Sequence, residues 1–243
     1  MTKPLDGQVA LVTGASRGIG AATALALARL GAHVVITART VGGLEETDDA
    51  IRAGGGASTL LPLDLTETAS VDAIGPSLFE RFRRLDILVH AAGVLAKLTP
   101  APHIQDADWA GAVAVNLSAG FRLIRATAPL LLAAEAGRAV FVTDALVRQP
   151  RAYWGTYGAT KAGLEHLVRS WAEETRTTRL RINLFDPGAV ATKLRASAMP
   201  GEDPATLPTP ADVAPMLAGL CLPGETRHGA VVSFTANAAG AGT

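Results

Sequence analysis

Tyr157 and Lys161 lie four positions apart at the start of a predicted helix. That spacing puts both side chains on one helical face, within reach of a common ligand. A phenol near its ordinary pKa of ~10 is a poor acid or base near neutrality. A neighbouring ammonium favours the phenolate and lowers that value. A second signal stands near the N-terminus, where Thr13-Gly14-Ala15-Ser16-Arg17-Gly18-Ile19-Gly20 follows an apolar strand and opens a helix. Gly14 permits a tight turn, Gly18 lets the backbone approach a pyrophosphate, and Gly20 lets helix and strand pack closely. The helix start then offers free N–H groups to an anion. Charge selects the nucleotide. The second strand ends Ile36-Thr37-Ala38-Arg39, and no Asp or Glu follows until Glu45. An acid there would repel a 2′-phosphate, whereas Arg17 and Arg39 can clamp one, so NADP(H) is preferred over NAD(H). Asp64, ending the third strand, has two readings: acceptor for the adenine amino group, or a turn or helix-capping residue.

These residues need a scaffold that gathers them, and the chain supplies its pattern. Short apolar runs at Val9–Val12, Val34–Thr37, Thr59–Leu63, Ile87–His90, Ala139–Thr143, Ile182–Phe185 and Val231–Phe234 read as strands. Several are apolar on consecutive positions, as in strands covered on both faces. Helices are expected over Gly20–Leu30, Leu44–Ala53, Val71–Arg83, Asp106–Ala134, Gly155–Thr177 and Pro210–Cys221. The alternation predicts an α/β single-domain, Rossmann-like doubly wound parallel sheet of about seven strands, with helices on both faces. The first helix, AATALALARL, is apolar almost all round and is expected to be fully buried. Glu165/Arg169 and Arg169/Glu173 read as the charges of a solvated helix face. Four prolines (Pro200, Pro204, Pro208, Pro210) mark residues 189–210 as a substrate loop or lid, and 236–243 form a C-terminal tail.

Composition excludes several classes. Hydrophobic residues make up 49% of the 243 and charged residues 18%, so the chain is not disordered. Lys plus Arg and Asp plus Glu each number 22, leaving no basic field for nucleic acid or an anionic membrane. A single cysteine, Cys221, suits a reducing compartment, and the five scattered histidines suggest no metal site. No run reaches the ~18 apolar residues of a spanning helix. The N-terminal segment is a poor signal peptide, so a soluble, cytoplasmic protein is expected.

Together TGASRGIG and the YxxxK pair resemble the short-chain dehydrogenase/reductase family, and the resemblance runs along essentially the whole chain. Leu63-Asp64-Leu65 is similar to the family's adenine motif, and His90-Ala91-Ala92-Gly93 occupies the place of its usual NNAG. Asn116 matches the active-site Asn, Tyr157 and Lys161 the catalytic pair, and Pro187-Gly188 the PG motif. Thr192 matches the residue that binds the nicotinamide carboxamide. The resemblance implies hydride transfer between NADP(H) and a carbonyl or secondary alcohol, with Tyr157 as general acid/base. Asn116 would help hold a water relaying protons from Lys161. Cofactor contacts are implied for Gly14, Ser16, Arg17, Gly18, Ile19, Gly20, Arg39, Asp64, Leu65, Ala91, Ala92, Gly93, Tyr157, Lys161, Pro187, Gly188, Val190 and Thr192. A homodimer or homotetramer is implied through helices 106–134 and 155–177.

Two departures stand out. His90-Ala91 replaces Asn-Asn, removing side-chain hydrogen bonds, and His90 reads as structural rather than as a base. The family's substrate-orienting serine falls thirteen residues before the tyrosine, and here that position is Asp144. A hydroxyl donates to a developing oxyanion; a carboxylate repels it and raises the tyrosine pKa. Losing such a donor commonly costs ~3–4 kcal/mol of barrier. Four readings stay open: Asp144 is protonated and donates; Thr143 supplies the hydroxyl; the chain binds NADP(H) as a sensor or scaffold with little catalysis; or Asp144 turns away to Arg148 or Arg151. Both arginines otherwise read as solvent-facing. The substrate pocket is expected between Leu95–Leu98, Leu146–Trp154 and residues 193–209.

Overall fold

The computed structural model describes residues 2–235; the expected tail over 236–243 lies outside that range. Seven parallel strands form one sheet: β1 (Val9–Thr13), β2 (His33–Ala38), β3 (Ala57–Pro62), β4 (Ile87–His90), β5 (Arg138–Val142), β6 (Arg181–Asp186) and β7 (Val231–Ser233). Their spatial order is β3-β2-β1-β4-β5-β6-β7. Every residue of β1, β4 and β5 is buried, which is why those segments read as unbroken apolar runs. Alternate residues feed opposite layers. Ala10 and Val12 join one core, with Ala24 and Leu27, while Val9 and Leu11 join the other, with Leu123 and Leu164.

The helices are α1 (Gly18–Arg29), α2 (Val41–Ala53), α3 (Thr68–Asp72), α4 (Ile74–Phe82), α5 (Asp106–Val113), α6 (Ala119–Ala133), α7 (Gly155–Glu174), α8 (Lys193–Ala198) and α9 (Pro210–Gly219). Three expectations need correction. The helix expected over Val71–Arg83 is the end of α3 followed by α4. Pro76 has no N–H to give the Asp72 carbonyl, and the chain turns at Ala73. The helix expected over Asp106–Ala134 is interrupted by a π-helical turn, Ala114–Ser118, between α5 and α6. And α1 buries one stripe, Gly20, Thr23, Ala24, Leu27 and Ala28, its other residues being half-covered or, at Arg29, exposed. Its apolar remainder packs against α2 and α9 as well as the sheet.

Register sets the working end of the sheet. Thr13 pairs with Thr37 and His90, His90 with Phe141, and Val142 with Phe185, so five adjacent strands finish within about two residues of one another. The chain leaves β1 toward β2 on one side and returns to β4 on the other. The crevice at that reversal, beyond the carboxyl ends of the strands, is where sheets of this kind take ligands.

Candidate active site

The corner after β1 is built for close approach. Gly14 adopts φ +68°, and a Cβ there would lie 2.8 Å from both Cα and N of Ala92. A Cβ on Gly20 would run into the Gly14 carbonyl. Only glycine fits either place. Gly18 is also left-handed, φ +59°, and faces the Thr192 methyl group across the crevice. Helix α1 follows Arg17, whose side chain does not cap it, and has no acid in its first turn. Its leading N–H groups therefore suit an anion. Arg17 and Arg39 are both exposed, and Arg39 lies close enough to Asp64 to help hold that carboxyl below its usual range. The larger cause is the turn: Asp64 Oδ1 accepts from Thr66 N and Thr66 Oγ1, each at 2.9 Å. The turn-residue reading of Asp64 thus describes one of its oxygens. These residues fit a dinucleotide phosphate.

Across the crevice, His90 ties β4 to β1. Its Nδ1 is 2.8 Å from Thr13 Oγ1, which also accepts from Ala92 N at 3.3 Å. Burial lowers the His90 pKa to about 3, with the Lys161 ammonium adding to the effect. The ring is held neutral in the core, where it ties two strands together.

Asn116 sits in the π-turn with no exposed surface. Its Oδ1 accepts from Val94 N (2.8 Å), and Nδ2 donates to Val94 O (2.9 Å) and Thr160 Oγ1 (3.1 Å). Both amide hydrogens are committed, so the side chain pins the 91–98 loop to α7. A Cβ on Gly93 would stand 3.4 Å from Asn116 Oδ1 and 3.6 Å from Lys161 Nζ, which fixes how tightly the three converge.

Tyr157 and Lys161 share the inward face of α7, both buried. Lys161 Nζ donates to Val142 O at 2.9 Å and lies 5.9 Å from the centre of the Tyr157 ring. Burial draws the Lys161 pKa down to about 8, while Asp144 pulls it upward. Asp144 turns toward the tyrosine. Its Oδ2 accepts from Tyr157 Oη at a long 3.3 Å, and its Oδ1 accepts from Leu146 N at 2.9 Å. Burial first, then the Asp144 charge and hydrogen bond, push the phenol pKa far above its ordinary value. With the phenol as donor both Asp144 oxygens act as acceptors; a protonated carboxyl donating to Tyr157 Oη would occupy the same 3.3 Å contact.

For two other readings of this position, the neighbouring groups point elsewhere. The Thr143 hydroxyl donates to Glu165 Oε2 at 3.0 Å, away from Tyr157. Arg148 pairs with Glu165 Oε2 (3.4 Å) and Asp186 Oδ2 (3.0 Å), not with Asp144, while its side chain and that of Arg151 are exposed as expected. Glu165 does meet Arg169 at 3.0 Å, yet its side chain is only 7% exposed, so it is no part of a solvated face. Asp186 Oδ1 accepts from Gly188 N at 3.1 Å, linking this network to the Pro187-Gly188 loop. Sequence reasoning missed the network. The signal was available: Glu165 follows Tyr157 and Lys161 at four-residue steps, on the same inward face.

Trp154, Tyr157 and Ala198 form a separate apolar cluster with Leu95, Leu98, Leu146, Leu194 and Met199 half-covered around them. All three segments expected to line the pocket contribute. The 189–210 stretch carries helix α8 within its loop. Ala191 N donates to Pro208 O (2.9 Å), and Arg195 grips Glu202 at 2.5 and 2.7 Å. Two non-glycine residues on the facing walls, Ala96 (φ +61°) and Tyr153 (φ +75°), are left-handed, and Thr99 N donates to Tyr153 O at 3.2 Å to brace them.

The family model for short chain dehydrogenases matches residues 8–203, and the chain belongs to that family. It is 36% identical over 215 residues to the oxidoreductase YciK of Escherichia coli K12, covering 87% of this chain and 85% of that protein. A short chain dehydrogenase structure from Pseudomonas syringae superposes with a TM-score of 0.92 at 36% identity, covering 96% of each chain. One from Shigella flexneri, complexed with NADP, gives 0.91 at 34% identity, covering 96% of this chain and 99% of that one. The chain is an oxidoreductase of this family by descent and fold. Among the described residues, no helix is long and apolar enough to cross a membrane.

Proposed function

We propose that this protein transfers a hydride between NADP(H) and a carbonyl or secondary-alcohol substrate, with Tyr157 as the general acid/base. The observation that carries the reading is the convergence of Tyr157, Lys161, Asn116 and Gly93 at the carboxyl ends of β4 and β5, facing the glycine corner. The nicotinamide supplies the hydride when bound. Gly14, Ser16, Arg17, Gly18, Ile19 and Gly20 would hold the pyrophosphate, and Arg17 with Arg39 the 2′-phosphate. Asp64 and Leu65 would meet the adenine, and Ala91, Ala92, Gly93 and Lys161 the ribose hydroxyls. Pro187, Gly188, Val190 and Thr192 would seat the nicotinamide. NADP preference rests on the two exposed arginines and on the absence of an acid after β2, and the NADP complex of the Shigella neighbour accords with it.

A phenol whose pKa is raised stays protonated at neutral pH but gives up its proton reluctantly, so the Lys161 ammonium and the positive charge of an oxidised nicotinamide would have to lower that pKa for Tyr157 to work as acid or base. Residues 189–210 would close over the apolar cluster as the substrate lid, in one domain spanning the chain. Exposed Trp109, Phe121 and Leu132, all on helical segments between 106 and 133, support a homodimer or homotetramer through those helices, and a cytoplasmic protein accords with the single reduced cysteine. NADPH oxidation measured over a panel of ketones and aldehydes tests the reading: Tyr157→Phe abolishes turnover while NADPH still binds, and unchanged turnover refutes it.

Asp144 favours a second reading, a catalytically impaired NADP(H)-binding protein, because its carboxylate opposes phenolate formation. Activity that emerges only in Asp144→Ser would select it.

A further inference from the structure

Where addition to a carbonyl builds negative charge, this site already holds some. Asp144 takes part in no ion pair among the described residues, and the cations around it are engaged elsewhere. Lys161 Nζ donates to Val142 O, Arg148 spans Glu165 and Asp186, and Arg195 is clasped by Glu202. Both oxygens of Asp144 accept hydrogen bonds, and the 3.3 Å bond to Tyr157 is long for an O–H···O pair, so Oδ2 keeps capacity to accept a further donor. Beside them stands an aromatic wall. Trp154 is buried, its ring 5.7 Å from that of Tyr157 and steeply tilted to it, with Leu95, Leu98 and Leu146 continuing the apolar surface. A carboxylate with no cation in direct contact, its nearest charges Lys161 and Arg195 acting from further off, set beside an aromatic wall, suits an organic cation.

We propose that the preferred hydride acceptor of this site is a protonated imine on an apolar frame. The inference rests on the hydride-transfer reading above and extends it to a cationic substrate class. An imine accepts hydride poorly until its nitrogen carries a proton, and a carboxylate alongside favours that charged form. In the step, a C–H bond forms at the imine carbon from the hydride of the reduced nicotinamide, which is oxidised. The C=N π pair moves onto nitrogen, cancelling its charge, and nitrogen keeps its proton. The neutral amine then takes a proton from solvent on leaving. No oxyanion forms, so the absence of a serine hydroxyl ceases to be a defect. Asp144 is the residue that sets the specificity.

The test compares dihydroisoquinoline with tetralone, each with NADPH near neutral pH, in the full chain and in Asp144→Ser and Asp144→Asn. The native protein is expected to favour the imine in kcat/KM by about tenfold or more, and Asp144→Ser to reverse the order. A readout free of turnover is calorimetric binding of tetrahydroisoquinoline to the NADP-loaded protein. Asp144→Asn, which still accepts from Leu146 N, is expected to weaken it about tenfold with NADP affinity unchanged. Preference for tetralone by the native protein, or amine binding that ignores Asp144, overturns the proposal. Should Asp144→Ser reduce tetralone while the native protein reduces neither compound, the imine proposal falls and the hydride-transfer machinery stands. Failure of every form to bind NADPH would bring down both.

Discussion

Arg148 should be worth more than its position on an irregular loop suggests. Its guanidinium bridges Glu165 and Asp186, whose side chains are 7% and 6% exposed, while its own is 42% exposed. Removing one partner from a fully buried pair costs ~3–5 kcal/mol, and an exposed pair contributes ~0–1. The Arg148 pairs lie between these limits. Solvent reaches the arginine, and Glu165 would keep Arg169 and Thr143, as Asp186 would keep Gly188 N. Arg148→Met should therefore cost about 2 kcal/mol, a fall of about 4–8 °C in Tm for a chain of this length. In a Glu165→Gln background the same change should cost less, because one of the two stranded charges is gone. Thermal melts of the four proteins of this cycle decide the matter. An unchanged Tm in Arg148→Met, or strict additivity with Glu165→Gln, would refute the view that the arginine holds two buried carboxylates together.

Other outcomes follow from the same geometry. Lys161, with a pKa of about 8, loses its ammonium above that value, so kcat/KM for NADPH should fall on the alkaline side. Asp144→Ser removes a charge that raises this pKa, so a pH profile should show the limb moving to lower pH. Because the folded value lies below the ordinary 10.5, the unfolded chain binds more protons between the two, and stability without nucleotide should rise with pH across that window. Gly14→Ala places a Cβ 2.8 Å from the Ala92 backbone at φ +68°, and should lose about 2 kcal/mol or more in a denaturation curve. Arg39→Ala should weaken NADPH binding about tenfold or more and leave NADH untouched in a calorimetric titration.

The sheet was legible because its central strands are covered on both faces and therefore apolar at every position, so their ends could be read to within a residue or two. Pro76 was equally visible as a helix breaker and was passed over. The π-turn at Ala114–Ser118 was not visible, since nothing in AVNLS distinguishes an i→i+5 bond from the ordinary kind. At the site, the Tyr157–Lys161 pair follows from helical periodicity alone, and the glycine corner from backbone sterics. The direction of Asp144 does not. It depends on Thr143 being drawn to Glu165 and Arg148 to Asp186, and so on where β5, β6 and α7 happen to finish relative to one another. The pairing of Glu165 with Arg169 was read correctly, but its burial was not, because an i,i+4 rule is blind to what lies on the other side of the helix.

The widened turn before α6 has an engineering consequence. A π-turn carries one residue more than the α-helix around it requires. Excising a single residue from Ala114–Ser118 would let α5 and α6 fuse into one straight rod with better backbone bonding. Each residue advances a helix by about 100°, so the same excision would swing the Asn116 amide off Val94 and unlatch the 91–98 loop. A shortened chain of this kind would be sturdier in the rod and blind in the crevice, and selection for thermal tolerance alone would tend to erase the irregularity.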